Sequence, residues 1–194
     1  MDIDNILTVA KQSNVKQIAY LSSFLARNYQ GSWWVMNAKK ASIDKIKNCE
    51  IPYTIFYPSN FMENFRNGMV QRKKMMMMGK HNYKAWWIAG EDFGMQVANA
   101  FQTEKSINKE YPVQGSEGMN IEEEAKIYVQ NYSKEKLTVG SAPMALMKSL
   151  AIFVSALKFV TKLMGVMNNN KETFEAQLYC FNRKMTFSKN NLVE

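Results

Sequence analysis

Two short stretches of this 194-residue chain set hydroxyl and aromatic side chains where a sheet would meet solvent. In IPYTIFYPSNFMENF, Ile51 to Phe65, the run Tyr53 to Tyr57 has strand-forming character and breaks at Pro58-Ser59-Asn60. A nearly continuous apolar and aromatic run bounded by turn residues reads as a buried strand. The break puts Tyr57, Pro58, Ser59, Asn60 and Phe61 at the strand's carboxyl end, the edge where open α/β sheets bind ligands. Upstream, Val15 to Leu21 reads as another strand, stopping at the hydroxyl pair Ser22 and Ser23. An interior strand would look the same as far as Tyr57, so the pattern locates a candidate site without defining its chemistry.

The elements around these stretches follow from periodicity. Ile3, Ile6, Leu7, Val9 and Ala10 fall near helical spacing, and Gln12-Ser13-Asn14 ends that helix. Ser32 to Asn37 reads as irregular, with Trp33 and Trp34 able to cover an apolar edge. Ala38 to Asn48 reads as a helix with Ala38, Ala41, Ile43 and Ile46 less polar and five lysines and acids, Lys39 among them, mostly wet. Residues 16–57 thus form strand, helix, strand, a parallel crossover. The preceding helix and strand are half of another crossover whose first strand is missing.

Downstream, Phe61 to Arg66 is a loop or short helix, and Met75 to Met78 reads as a gap-filling strand or loop beside the basic run Arg72-Lys73-Lys74. Lys84 to Ile88 is a short strand, and Asp92 caps a helix Phe93 to Thr103. Tyr111 to Val113 is a strand. Asn120 caps a helix whose first turn carries Glu122, Glu123 and Glu124, suiting the helix dipole. Leu137 to Val139 is a last short strand. A helix or helix pair follows Pro143, Asn168 to Asn170 form a loop, Glu172 to Phe181 form a closing helix, and Lys189 to Glu194 fray.

Composition excludes several classes. With 46% hydrophobic and 22% charged residues the chain reads as globular. The net charge of +8 is scattered, which argues for general surface charge and against a nucleic-acid footprint. Cys49, Cys180 and the single His81 cannot make a Cys/His zinc site or a disulfide framework, so no metal is expected. The N-terminal MDIDNILTVAK is not a signal peptide, and the expected location is the cytoplasm. Lysines 148, 158 and 162 interrupt the apolar stretch Ala142 to Met167, which is expected as a core or lid helix with no membrane partner.

Several of these segments resemble the NmrA-like family, atypical members of the short-chain dehydrogenase superfamily. The match runs through Ile18-Ala-Tyr-Leu-Ser-Ser23, Lys39 thirteen positions before Pro52-Tyr-Thr54, and Phe56-Tyr-Pro-Ser-Asn-Phe-Met-Glu-Asn64. It continues in order through Trp87-Ile-Ala-Gly-Glu-Asp-Phe-Gly94 with Val97-Ala98, residues 111–125, and Glu172-Thr-Phe-Glu-Ala-Gln177. The resemblance implies an α/β, Rossmann-type doubly wound sheet binding NAD(P), preferentially NADPH, with a small C-terminal α+β lobe. It implies Ser22 and Ser23 beside the nicotinamide ribose and Lys39 on the ribose hydroxyls, the same lysine assisting proton transfer in reductase relatives. Tyr57, Pro58, Ser59, Asn60 and Phe61 would line the nicotinamide and substrate pocket. Quinone or carbonyl reduction and NADPH redox sensing are both family activities. The partner is then a small-molecule substrate or nucleotide.

Two departures qualify these expectations. The superfamily's catalytic tyrosine lies four residues before the lysine, and that position is Val35. Nine single glycines form no GxGxxG or GxxGxxG turn, the device that brings a pyrophosphate to a helix N-terminus. The resemblance therefore implies the C-terminal part of an NmrA-like protein. Residues 1–66 would be half of the nucleotide-binding domain, lacking N-terminal βα units, and 67–194 a lid lobe interleaved with the last strands. The alternative is an interaction module that no longer binds nucleotide and self-associates through the exposed sheet edge. A third reading, an active NAD(P)H-dependent oxidoreductase, needs the missing half from elsewhere.

Overall fold

The computed structural model describes residues 3–65, 69–71, 73–79, 83–132, 136–175, 179–180 and 183–184. The chain opens with α1 (Ile3–Gln12), β1 (Ile18–Leu21), α2 (Phe24–Arg27), α3 (Trp34–Lys47) and β2 (Tyr53–Pro58). Next come β3 (Val70–Gln71), β4 (Lys74–Met78), β5 (Lys84–Ala85) and α4 (Gly90–Ala100). Then follow β6 (Lys109–Val113), β7 (Met119–Asn120), α5 (Ile121–Asn131) and β8 (Thr138–Ala142). The last elements are α6 (Met144–Leu150), α7 (Ser155–Asn169), β9 (Tyr179–Cys180) and β10 (Arg183–Lys184). The fold is α/β, and it divides into two compact units.

The first unit comprises Met1–Ser59, Gly90–Ser116 and Glu175–Thr186. Its sheet, ordered β1-β2-β6, is wholly parallel, as the crossover pattern requires. Register pairs Ile18 with Tyr53 and Leu21 with Phe56 on one side of β2, and Thr54 with Lys109 and Tyr57 with Pro112 on the other. Alternation along β2 sends Ile55 and Tyr57 against Ile43 of α3, while Leu7 and Ala10 of α1 pack with Ile46, Cys49 and Ile51. On the opposite face Phe56 meets Phe93 of α4 edge-on at 5.7 Å and stacks on Tyr111 at 6.0 Å. Ile55 and Phe56 are at most 1% exposed, so β2 is buried on both faces.

The second unit comprises Asn60–Ala89, Glu117–Phe174 and Phe187–Glu194. Here β3 pairs antiparallel with β4, and β4 pairs parallel with β8. The methionine run lies in β4 as a true strand: Met75 and Met77 are buried, and Met76 on the other face lies against Gly140. A Cβ at Gly140 would come within 3.0 Å of the Met76 sulfur, so glycine there lets the strand neighbour approach. Phe65 stacks between Trp87 at 4.5 Å and Tyr128 at 5.7 Å. Asn120 and Glu123 form a reciprocal capping box at the start of α5, as the spacing leads one to expect.

Several expectations are corrected. Ser32 to Asn37 is not irregular: α3 begins at Trp34, because Met36, Ile43 and Ile46 make one buried stripe reaching a turn further upstream. Trp33 is buried, but Trp34 is 70% exposed and covers nothing. Asp92 lies inside the first turn of α4, which begins at Gly90, and is not the residue preceding the helix. Glu172 to Glu175 are not helical, since the Glu175 N–H donates to Gln114 Oε1 in place of a carbonyl one turn back, and Tyr179–Cys180 is a strand. α7 runs through Asn169, its end closed by the Asn170 Nδ2 donating to the Val166 carbonyl. The expected fraying at Lys189 to Glu194 lies outside the described residues, as do Arg66, Arg72 and His81.

Glu124 of α5 is fully buried and neither carboxyl oxygen has a hydrogen-bond partner among the described residues. Burial, reinforced by Glu117 and Glu123, pushes its carboxyl up to about 7 from the ordinary 4.5. A carboxyl raised on folding stabilises fully only below the unfolded value, and that contribution is lost as pH rises through about 7. Thermal unfolding at stepped pH therefore shows stability falling between about pH 4.5 and 7, by on the order of 3 kcal/mol. Glu124→Gln removes that slope, and an unchanged slope in the variant contradicts this assignment.

Candidate functional site

The two ends of the first unit's sheet differ in chemistry. At the amino end, Thr54 Oγ1 donates to the Ser106 carbonyl at 2.8 Å, and Gln17 Nε2 donates to Thr54 Oγ1 at 2.9 Å and Ser106 Oγ at 3.0 Å. Ser106 Oγ in turn donates to the Ala100 carbonyl at 2.6 Å. Those hydroxyls are spent on structure.

At the carboxyl end, the ladder continues one residue past each strand. The Ser22 N–H donates to the Phe56 carbonyl and the Ser59 N–H to the Val113 carbonyl, both at 2.9 Å. Ser22, Ser23, Tyr57, Pro58 and Ser59 are brought together by this end of the sheet. Ser22 Oγ is buried without a hydrogen-bond partner among the described residues. A buried hydroxyl left unpaired has lost its solvation without recompense, a condition that a bound polar ligand relieves. Ser23 precedes α2 in extended conformation and makes no side-chain cap, so its hydroxyl is not used to hold the helix. Asn60 and Phe61 belong to the second unit, where the Ile88 N–H donates to the Asn60 carbonyl and Phe61 bridges to Ile88.

Lys39 lies on α3, which begins after the carboxyl end of β1 and returns the chain to the start of β2. It is five residues from the helix start, roughly 8 Å along the axis. It falls three residues after Met36 and four before Ile43, on the buried stripe that faces the sheet. It is half-buried, and its ammonium has no hydrogen-bond or ion-pair partner among the described residues. Burial alone holds it below the ordinary lysine value. Its neighbour Lys40, by contrast, donates to the Tyr29 carbonyl.

Of the two tyrosines that could replace the missing acid, Tyr57 has its proton committed and Tyr29 serves as an acceptor. Tyr29 is buried, its hydroxyl accepting from the Trp33 N–H at 3.0 Å. A Cβ on Gly31 would stand 2.3 Å from that hydroxyl, so the turn needs glycine. Tyr57 donates to Glu110 Oε2 at 2.5 Å, and its phenol is pushed well above the ordinary value by burial, then by that bond. Val35, on the first turn of α3, has no proton to give.

Glu110 belongs to a charged network that sequence reading missed. Lys47 Nζ is 2.5 Å from its other oxygen, Arg27 sits 5.6 Å from the Tyr57 ring centre, and Arg27 pairs with Glu175. Burial acts to raise the Glu110 carboxyl, but hydrogen bonds from Lys47 and Tyr57 and the charges of Lys47 and Arg27 hold it below the ordinary value. Its partners lie far away in sequence, and no local spacing announces them. Grooves of about 420 and 250 Å³ beside α1 are lined by residues such as Lys11, Cys49 and Asp44 or Pro52, with none from the carboxyl edge. Among the described residues no cluster of His, Cys, Asp and Glu could hold a metal.

Removing the Tyr57 hydroxyl takes one of the two hydrogen bonds from Glu110. Tyr57→Phe should cost about 1 kcal/mol in urea unfolding at pH 7. A depressed carboxyl stabilises above its unfolded value and loses that contribution as pH falls. With its carboxyl less depressed, the variant begins acid unfolding at a higher pH than the parent; an identical acid transition would mean that Lys47 alone sets it.

No family model matches the sequence, and no curated protein matches it. Solved structures do match. Triphenylmethane reductase from Citrobacter sp., complexed with NADP(H), has a TM-score of 0.73 at 14% identity, over 98% of this chain and 68% of that one. The NADPH-dependent quinone oxidoreductase of Escherichia coli, complexed with NADPH, gives 0.74 at 14% identity, over 98% and 69%. A nucleoside-diphosphate-sugar epimerase from Staphylococcus aureus gives 0.73 at 14% identity, over 99% and 70%. The chain shares the α/β fold of these proteins and spans about two thirds of their length.

Proposed function

We propose that this chain carries the nicotinamide-side half of an NADPH site of the NmrA-like type. The observation that carries the reading is Lys39, a half-buried cation set on the sheet-facing stripe of α3 with no carboxylate to neutralise it. Keeping an ammonium there costs solvation, and a ligand bearing hydroxyls or negative charge offsets that cost. Lys39 would hold the ribose hydroxyls, Ser22 and Ser23 would supply hydroxyls at the same edge, and Tyr57, Pro58 and Ser59 would line the nicotinamide pocket. When bound, NADPH supplies hydride chemistry. The residues present fit the ribose end. They supply no glycine-rich turn for the pyrophosphate, which makes binding weak unless another segment provides one.

Two activities follow from the family likeness: reduction of a quinone or other carbonyl compound, and sensing of the NADPH pool in the cytoplasm. With Val35 at the acid position and the Tyr57 proton given to Glu110, nucleotide sensing is favoured over proton-coupled reduction. In a titration followed by fluorescence and thermal shift, NADPH binds weakly, with a constant on the order of 100 μM (roughly −5.5 kcal/mol), and raises Tm at saturating nucleotide. Lys39→Ala weakens binding about tenfold or more and Lys39→Arg less, because a ribose contact is lost or displaced. Absence of binding at millimolar nucleotide ends this reading.

A second reading, self-association, is favoured by one observation. Among the described residues β1 pairs only with β2, and near its free edge Leu21 and Val15 are 47% and 40% exposed. Unpaired strand edges template pairing with another copy. Sedimentation velocity would then give a dimer that Leu21→Lys returns to monomer; a monomer at all concentrations removes the reading.

A further inference from the structure

In the second unit, α6 and α7 pack against each other through one side only. Met147, Ala151, Met164, Val166 and Met167 are buried. Further apolar side chains flank the buried ones and are exposed. Leu146 and Leu150 are 53% and 45% exposed, and Phe159 is 46% exposed. At the turn between the helices Ile152, Phe153 and Val154 are 69%, 87% and 45% exposed. Single exposed apolar residues are ordinary, but three successive ones at a helix–helix turn mark a contact surface.

Charge identifies what that surface contacts. Between Leu137 and Lys171 the sequence contains no aspartate or glutamate, and its charged residues are lysines. Lys148, Lys158 and Lys162 are exposed, the last two sharing the outer side of α7 with Phe159. Packing this face on a second copy would set lysines against lysines with no carboxylate to pair them. A negatively charged, apolar-backed surface accepts both features at once. Bulky apolar residues enter the headgroup boundary while lysine stems lie along it with their ammonium groups outward. Neither helix is long and apolar enough to cross a membrane, so the pair lies on the surface.

We propose that the α6–α7 pair is an interfacial anchor for anionic lipid membranes, with Ile152, Phe153 and Val154 inserted and Lys158 and Lys162 on the headgroups. This inference concerns the second unit and is independent of nucleotide binding. The test is co-sedimentation of the full chain with vesicles of phosphatidylcholine alone or mixed with phosphatidylserine. The chain pellets with the mixed vesicles, less at high salt, and stays in solution with phosphatidylcholine alone. Phe153→Asp and, separately, Lys158→Glu with Lys162→Glu each weaken partitioning at least about tenfold, with unfolding midpoints unchanged. Equal pelleting with both vesicle types, none with either, or full binding by both variants overturns the proposal. So does a concentration-dependent dimer in sedimentation velocity that Phe153→Asp abolishes, which would assign the face to a second copy.

Discussion

The first unit depends on a single constraint: β2 must be paired on both sides and covered on both faces. Its peptide groups are satisfied by β1 and β6 in parallel register. Its side chains alternate between Ile43 on one face and Phe93 on the other. A one-residue slip would send Ile55 toward α4 and Phe56 toward α3, exchanging both packed faces at once. That penalty fixes the ends of all three strands relative to one another, and hence which residues emerge together beyond them.

The asymmetry between the two ends follows from where polar groups are spent. Gln17, Thr54 and Ser106 close the amino end by satisfying one another. Across the α3 face, Lys47 and Tyr57 donate to Glu110, and Arg27, lying over the Tyr57 ring, pairs with Glu175, so two cations and two carboxylates neutralise one another. Lys39 and Ser22 stand outside both networks. In a low-dielectric setting unpaired groups of this kind are costly, and sites that hold ligands are where such costs persist.

Much of this architecture was legible locally. The break at Pro58-Ser59-Asn60 ends β2 on Pro58, and the Asn120 and Glu123 spacing appears as a reciprocal cap. The methionine run was open between strand and loop in the sequence, and pairing of β4 with β3 and β8 makes it a strand. The inward position of Lys39 could have been read from its spacing to Met36 and Ile43, but the nearby wet lysines masked it. Glu110 was not legible, because its hydrogen-bond partner Tyr57 is 53 residues distant in sequence. The supposed helix after Glu172 fails for the same reason. Its local composition suits a helix, yet Gln114, 61 residues earlier, captures the Glu175 N–H.

The interleaved composition of the first unit also bears on how the chain is made. During synthesis, β1, α3 and β2 emerge first, but β6 follows only after the whole Asn60–Ala89 segment. Until then one edge of β2 has no native partner. Arg27 must wait still longer for Glu175, 148 residues behind it. Contacts of such separation are slow to close, and the incomplete sheet is exposed meanwhile. The sheet of the first unit thus reaches its native pairing only after β6 has been made, and the early strands are open to foreign edges until then.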